Sequence, residues 1–327
     1  MTDEFDLIAR IRDRVKTRDD VLLGIGDDAA LLRVPPGHDL VVSTDTLHAG
    51  VHFPHATTPA DIGWKALAVN LSDLAAMGAT PAWCTLALAL PAADKEWLDG
   101  FLDGFCELAD AHRFALVGGD ITRGALSITV TVHGLIPHVM ALRRDGAQAG
   151  DEIWVSGTLG DAAAALSLLN PVPTGEGDKQ LFARLNRPTP RIALGIALRE
   201  VASACIDVSD GLSADLGHVL RASGVGAELD LAALPMSGAL RAFDPDARAA
   251  FQLGGGDDYE LCFTAPSTQA DRVRAAAAAA ATPVTRIGRI LAGNELRLRA
   301  ADATLRVAEP TGYRHFARAA APADTTA

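Results

Sequence analysis

The sequence predicts a mixed α and β protein of two domains, the second patterned more like α/β, on three observations. At 327 residues the chain is long enough for two cores, since a domain takes roughly 100–200 residues. Strand-like and helix-like segments alternate along most of its length. The patterning breaks near residues 138–150, where HVMALRRDGAQAGD separates two differently organised halves. The expected division is therefore 1–140 for an N-terminal domain, 141–316 for a C-terminal domain and 317–327 for a disordered tail.

Taken in order, the opening MTDEFDLIARIRDRV reads as an acidic amphipathic helix with Phe5, Ile8 and Ile11 on its apolar face, and not as a signal peptide. DLVVSTDTL (39–47) and TLALALP (85–91) read as strands. SITVTVHGLIP (127–137) alternates apolar and polar residues, as a half-buried antiparallel strand does. Helices are expected over about 61–77 and 94–112, the second opening on the acidic turn ADKEW. In the second half EIWVSG is a strand that runs through GTLGD into an Ala-rich helix, with Asp161 as its cap. NPVPTGEGDK (170–179) has the composition of a mobile loop. RIALGIALREVA is a helix, and CIDVSDG is a strand edge leading into the helix LSADLGHVLRAS. GAELDL, YELCFTA and VTRIGRI are further strands, and the seven alanines at 275–281 belong to a helix begun near Ser267.

Charge narrows the possible partners. The net charge is −12, and only four lysines occur, so most positive charge is Arg. Nucleic-acid and anionic membrane surfaces are not expected, because both are held by clustered Lys and Arg. No apolar run approaches the ~20 residues that span a bilayer. The four cysteines stand singly without a CxxC pair, as buried thiols of a reducing cytoplasm do. An anionic ligand must then be met by a local Arg or by metal cations.

One pattern carries chemistry: aspartate at strand ends and beside glycine. It recurs in GIGDDAALL (Asp27, Asp28), VVSTDT (Asp45), NLSDLAAMGA (Asp73), LVGGDITRG (Asp120), IDVSDGLS (Asp207, Asp210) and GGGDDYELCF (Asp257, Asp258). Any one of these serves equally as a turn or a helix cap. Together they say more. Asn70 and Asp73 share one helix face, and Asp45 lies where an apolar strand ends, a common ligand position. Asp207 and Asp210 bracket Ser209 at a strand-to-helix junction whose free N–H groups suit phosphate. Two carboxylates ~4 Å apart repel by about 4 kcal/mol at an effective dielectric near 20, so convergent aspartates need cations, and hard oxygen donors suit Mg²⁺. A P-loop is excluded because the chain has no Gly-Lys pair, and no HRD or DFG kinase signature occurs. His48, His52 and His55 lie close enough in sequence for zinc but lack an HExxH pattern; His52 reads better as a ligand contact.

GIGDDAALL, STDTLHAGVHF, KALAVNLSDLAAMGA, GGDITRG, RPTPR, IDVSDGLSADLGH and the closing GYRHF, in this order over nearly the whole chain, resemble the thiamine-monophosphate kinase family. That family is related to aminoimidazole ribonucleotide and selenophosphate synthetases. The resemblance implies an N-terminal α+β domain whose strands form a barrel across a homodimer, with a C-terminal α/β domain. It implies ATP as co-substrate, thiamine monophosphate as acceptor and several Mg²⁺ ions. Metal ligands then fall on Asp28, Ser43, Thr44, Asp45, Asp73, Asp120, Asp207 and Asp210, with the six aspartates in one cleft. ATP contacts fall on Gly119, Asp120, Arg144 and Ser209, and substrate contacts on His52, Asp257 and Tyr313. Asp45, Asp73, Asp120 and Asp210 are the residues expected to be indispensable. This chain departs from the family's GGEDYE, reading Gly255-Gly256-Asp257-Asp258-Tyr259-Glu260, so Asp257 keeps the charge with a shorter reach. Alternatives are a related ATP-dependent synthetase or an inactive nucleotide-binding regulator. Selenophosphate synthesis would want a reactive Cys near the N-terminus, and the first here is Cys84; an inactive regulator would not need the clustered acids.

Overall fold

Two β-sheets with one buried helix between them set the architecture of the chain, whose computed structural model describes residues 4–169, 175–313 and 315–316. Helix α1 (Glu4–Arg14) precedes the short antiparallel pair β1 (Val21–Leu23) and β2 (Leu31–Leu32). There follow β3 (His38–His48), α2 (Pro59–Ala76), β4 (Thr80–Leu90), α3 (Lys95–Ala111), β5 (Ala115–Arg123) and β6 (Ser127–Pro137). These strands form a four-stranded sheet in the order β3-β6-β4-β5. All its pairs are antiparallel except β4–β5, which α3 connects as a crossover. Strand β5 contains the GGD motif, whose glycines hide its strand pattern in the sequence.

The second half runs β7 (Asp151–Ser156), α4 (Asp161–Ser167), α5 (Glu176–Asn186), α6 (Ile192–Ala197), β8 (Ala204–Asp207) and α7 (Leu212–Ser223). It continues with β9 (Gly226–Asp230), α8 (Pro245–Gly254), β10 (Leu261–Pro266), α9 (Ala270–Ala279), β11 (Val284–Leu291), β12 (Leu296–Arg299) and β13 (Leu305–Ala308). Its seven strands are ordered β13-β12-β9-β11-β7-β10-β8. Strands and helices alternate as the sequence predicts, yet only β12–β9 pair in parallel. The reason is topological: the crossover from β7 leaves a gap that β10 later fills, a split βαβ arrangement.

Three local expectations are corrected. The apolar face of α1 runs through Leu7 and Ile11, and Phe5 is exposed. Residues 176–179 are the first turn of α5, not loop; the acidic residues there favour a helix N-terminus, and 170–174 lie outside the described residues. Asp161 does not cap α4: Gly160 holds the N-cap position, and the buried Asp161 carboxylate accepts from Thr158 and Ser237 instead. The expected tail at 317–327 lies outside the described residues. Among the described residues no helix is long and apolar enough to cross a membrane.

Helix α2 starts at Thr58, whose hydroxyl accepts from the Asp61 N–H, with Pro59 in the first helical position. It packs on α3, on β3 and β6, and on β8 and α6 of the second half, so nearly every face is buried. Glycines let α2 and α3 approach backbone to backbone. A Cβ on Gly104 would lie 1.8 Å from the Ala60 carbonyl oxygen, and one on Gly63 1.9 Å from that of Phe101. Gly104→Ala forces the pair apart and is expected to cost about 2–3 kcal/mol, read from urea unfolding midpoints at constant slope.

Candidate active site

Strand alternation sorts the sequence-predicted acids onto two sides of the first sheet. Ser43 and Asp45 point toward α2: the Ser43 hydroxyl donates to Asp73 at 2.5 Å, and the Asp45 N–H donates to the Asn70 amide oxygen at 3.0 Å. Thr44 lies on the opposite, open face, where its hydroxyl bonds to Val130 and Thr131. Asp120 belongs with Thr44, because Thr46, Thr129, Ala87 and Asp120 form one rung across all four strands. Asp28, Gly119 and Asp120 line a cavity of about 1070 Å³ at that edge. Ser43, Asp73 and Arg144 line a separate one of about 540 Å³. Within this one chain, therefore, the six aspartates do not share a single cleft; the sheet itself stands between the groups.

The acids on the α2 side are electrostatically unrelieved. Asp207, at the end of β8, is buried against α2, and Ser72 donates to it at 2.7 Å. Burial first, then the charge of Asp73, pushes its carboxyl up to about 8. Asp45 is pushed up to about 6 by the same two causes. Asp73 is also raised by burial, against the opposing help of Ser43 and of the Arg144 cation. Carboxylates that hold protons this tightly lack a compensating positive charge. Among the described residues no three acidic, His or Cys side chains close into a preformed cation cage.

The expected phosphate cradle at residues 209–211 is filled from within. The N–H groups of Ser209, Asp210 and Gly211 all donate to one Asp215 oxygen, at 3.0, 3.1 and 3.1 Å. The sequence signal is Asp215 itself, four residues past Gly211 in the first turn of α7, where a carboxylate satisfies free helix N–H groups. The loop is held from outside as well. Asp257 and Tyr259 donate their N–H groups to the Ser209 and Val208 carbonyls, and Tyr313 donates to that of Asp210.

A third group gathers His52, Asp257 and Tyr313, the residues that the family pattern assigns to substrate. His52 receives the His48 N–H on Nδ1 at 2.9 Å, and its ring lies 5.2 Å from that of His315, which is itself 5.0 Å from Tyr313. Burial, then His315, lowers the proton affinity of His52, while Asp257 opposes. The buried Lys65 reaches both His52 and Asp257. Sequence reasoning gave no role to Lys65, Asp215, Tyr259 or His315. Lys65 had a signal: it is one of four lysines and is followed directly by the apolar run Ala66-Leu67-Ala68-Val69. Behind this group Glu260, fully buried, takes Arg184 at 2.7 Å, both arms of Arg191 at 2.6 Å and the Ser156 hydroxyl at 2.6 Å. That clamp gives RPTPR a structural role.

The paired sheets and the acid-lined α2 define a class, and the chain matches it: AIR synthase related protein, the N-terminal domain over residues 26–136 and the C-terminal domain over 148–301. The thiamine-monophosphate kinase of Escherichia coli K12 is 49% identical over 96% of this chain and 98% of its own. A crystal structure of thiamine-monophosphate kinase from Stenotrophomonas maltophilia K279a superposes with a TM-score of 0.85 at 55% identity, covering 90% of this chain and 96% of that one. A structure described as AaThiL complexed with AMPPCP and TMP gives 0.77 at 33% identity, over 96% and 97%. The chain belongs to the thiamine-monophosphate kinase family.

The acid cluster fixes the sign of a pH effect. A carboxyl whose affinity for protons rises on folding stabilises the fold at low pH; that contribution is lost as pH climbs from the unfolded value near 4 through the folded one. For Asp207 the window therefore runs from about 4 to about 8. Asp207→Asn is expected to raise the melting temperature of metal-free protein at pH 8 by several degrees, and by much less at pH 5. Calorimetric scans at the two pH values check it.

Proposed function

We propose that the protein transfers the γ-phosphoryl group of ATP to the phosphate of thiamine monophosphate, giving ADP and thiamine diphosphate, the last step in making that cofactor. Membership of the family over nearly the full chain carries the reading, together with the AMPPCP and TMP bound by the related AaThiL. The nucleophile is a phosphate oxygen. With a second pKa near 6 the acceptor phosphate is already largely dianionic at neutral pH, so no general base is required. The work left to the protein is to bring two anions in line and keep water out.

The residues near α2 fit Mg²⁺: their donors are all oxygen, and their raised proton affinities mark missing positive charge. Asp45, Asp73 and Asp207 with Ser43 would hold it on that side. Asp28, Asp120 and the Thr44 backbone would do so on the open side, and Asp210 beside the Ser209 loop. Mg²⁺ supplies positive charge between carboxylates and phosphates and polarises the transferring group. Arg144, exposed beside Asp73, provides a fixed cation for the ATP phosphates. Gly119, where a Cβ would lie 1.9 Å from the Leu86 carbonyl oxygen, would meet the nucleotide through its backbone, and Ser209 offers its hydroxyl, its N–H being taken by Asp215. His52, Asp257 and Tyr313 receive thiamine monophosphate.

Incubation with ATP, Mg²⁺ and thiamine monophosphate, followed by chromatography, is expected to show thiamine diphosphate; ATP binding without product would defeat the reading. Asp120→Asn is expected to lower turnover on the order of a hundredfold or more without loss of fold, as judged by circular dichroism. Turnover close to wild type would exclude the open-face acids from the reaction.

We further propose a cytoplasmic homodimer, divided at about residue 140 into nucleotide-binding and α/β parts, whose first sheets close a barrel. Support comes from β3, an 11-residue edge strand that exposes Leu40 and Val42. Sedimentation is expected to give a dimer for the wild type and a monomer for Val42→Glu.

A further inference from the structure

A fully buried lysine stands where the two halves of the substrate group meet. Lys65, in the second turn of α2, is 1% exposed. Lysine is almost never buried so deeply without partners, and each must justify the lost hydration of an ammonium. Lys65 has two in the site. Its Nζ donates to the His52 carbonyl oxygen at 3.0 Å and lies 3.2 Å from Asp257 Oδ2. The other Asp257 oxygen accepts from the Tyr259 hydroxyl at 3.1 Å. Asp257 and Tyr259 both adopt left-handed backbone conformations, φ +68° and +50°, which non-glycine residues tolerate only when their surroundings impose them. The carboxylate is thus gripped at both oxygens on a constrained loop, yet its side chain remains 23% exposed. A carboxylate has about four lone-pair positions, so two donors leave others open to a ligand.

We propose that Lys65 is a positioning residue for thiamine monophosphate, locking the Asp257 carboxylate and the His52 turn in one register so that Asp257 can meet the aminopyrimidine ring. This rests on the function proposed above. It accounts for the shorter acid at a place where the family pattern has Glu. A longer side chain finds the ring by its own reach, whereas the shorter one depends on being held. Lys65 makes its contacts in this site to the His52 turn and Asp257, so its effect is expected on thiamine monophosphate alone.

The test is a kinetic comparison of wild type, Lys65→Met, Asp257→Asn and the double variant. Lys65→Met is expected to raise KM for thiamine monophosphate about tenfold or more, the size of a lost charge-assisted hydrogen bond, with KM for ATP and kcat within about threefold. It is also expected to lose discrimination against oxythiamine monophosphate, which carries an oxo group in place of the ring amine. The double variant is expected to be no worse than Asp257→Asn alone. Additive losses, an unchanged KM for thiamine monophosphate, or equal damage to both substrates would overturn the proposal. If Lys65→Met does not fold, Lys65→Gln, which keeps a donor without the charge, is read by the same criteria. No thiamine diphosphate from the wild type overturns the functional reading and this proposal with it; normal wild-type turnover with an indifferent Lys65 variant overturns this proposal alone.

Discussion

Helix α2 is buried on nearly all sides, yet it carries Lys65, Asn70, Ser72 and Asp73, and the rest of the site follows from how those four are satisfied. A buried polar group without a partner costs roughly 1–3 kcal/mol, so each fixes something beyond the helix. Asn70 fixes the backbone at Asp45, and Asp73 takes the Ser43 hydroxyl, so the strand end of β3 is registered against the helix. Ser72 reaches across to Asp207 in the second sheet, and Lys65 to Asp257. Two domains are thereby indexed to one helix through four side chains. The glycine contact with α3 behind it removes the freedom that would let the helix slide.

The same arrangement stores unfavourable electrostatics. Asp73 sits near enough to Asp45 and Asp207 to raise their proton affinity, and for all three acids burial is the larger cause. Contrast Asp215, which is also raised by burial, to about 6, but is met by three backbone N–H groups. One carboxylate is built into the fold as an anchor for its loop; the others are left short of positive charge. That difference separates a carboxylate satisfied by backbone donors from carboxylates left without them, and a neighbouring glycine does not reveal it: Asp210 directly precedes Gly211, whereas the anchoring Asp215 has no glycine beside it.

What was legible in the sequence follows from this distinction. Periodicity placed β3, α2, α3 and β6 to within a few residues, because each buries a regular face. The motif order identified the family. Strand β5 was missed, since GGD reads as a turn when its neighbour β4 is unknown. The antiparallel pairing of the second sheet was missed because β10, which separates β7 from β8, comes some fifty residues after β8 in the chain. The split of the acids across the first sheet lies in strand parity: Thr44 and Asp45 are adjacent in sequence and therefore on opposite faces. Adjacent motif residues were read as one site, and a pleated strand does not allow that for side chains.

The parity argument also bears on the net charge of −12. Two groups of acids on opposite faces of one sheet repel less than a single cluster of six would, since interactions beyond a Debye length of about 8 Å are largely screened in solvent. The open face carries Leu40 and Val42, each about half exposed, beside Thr44 and Thr46. Within one chain the acids are thus divided between two faces of a sheet rather than gathered in one patch.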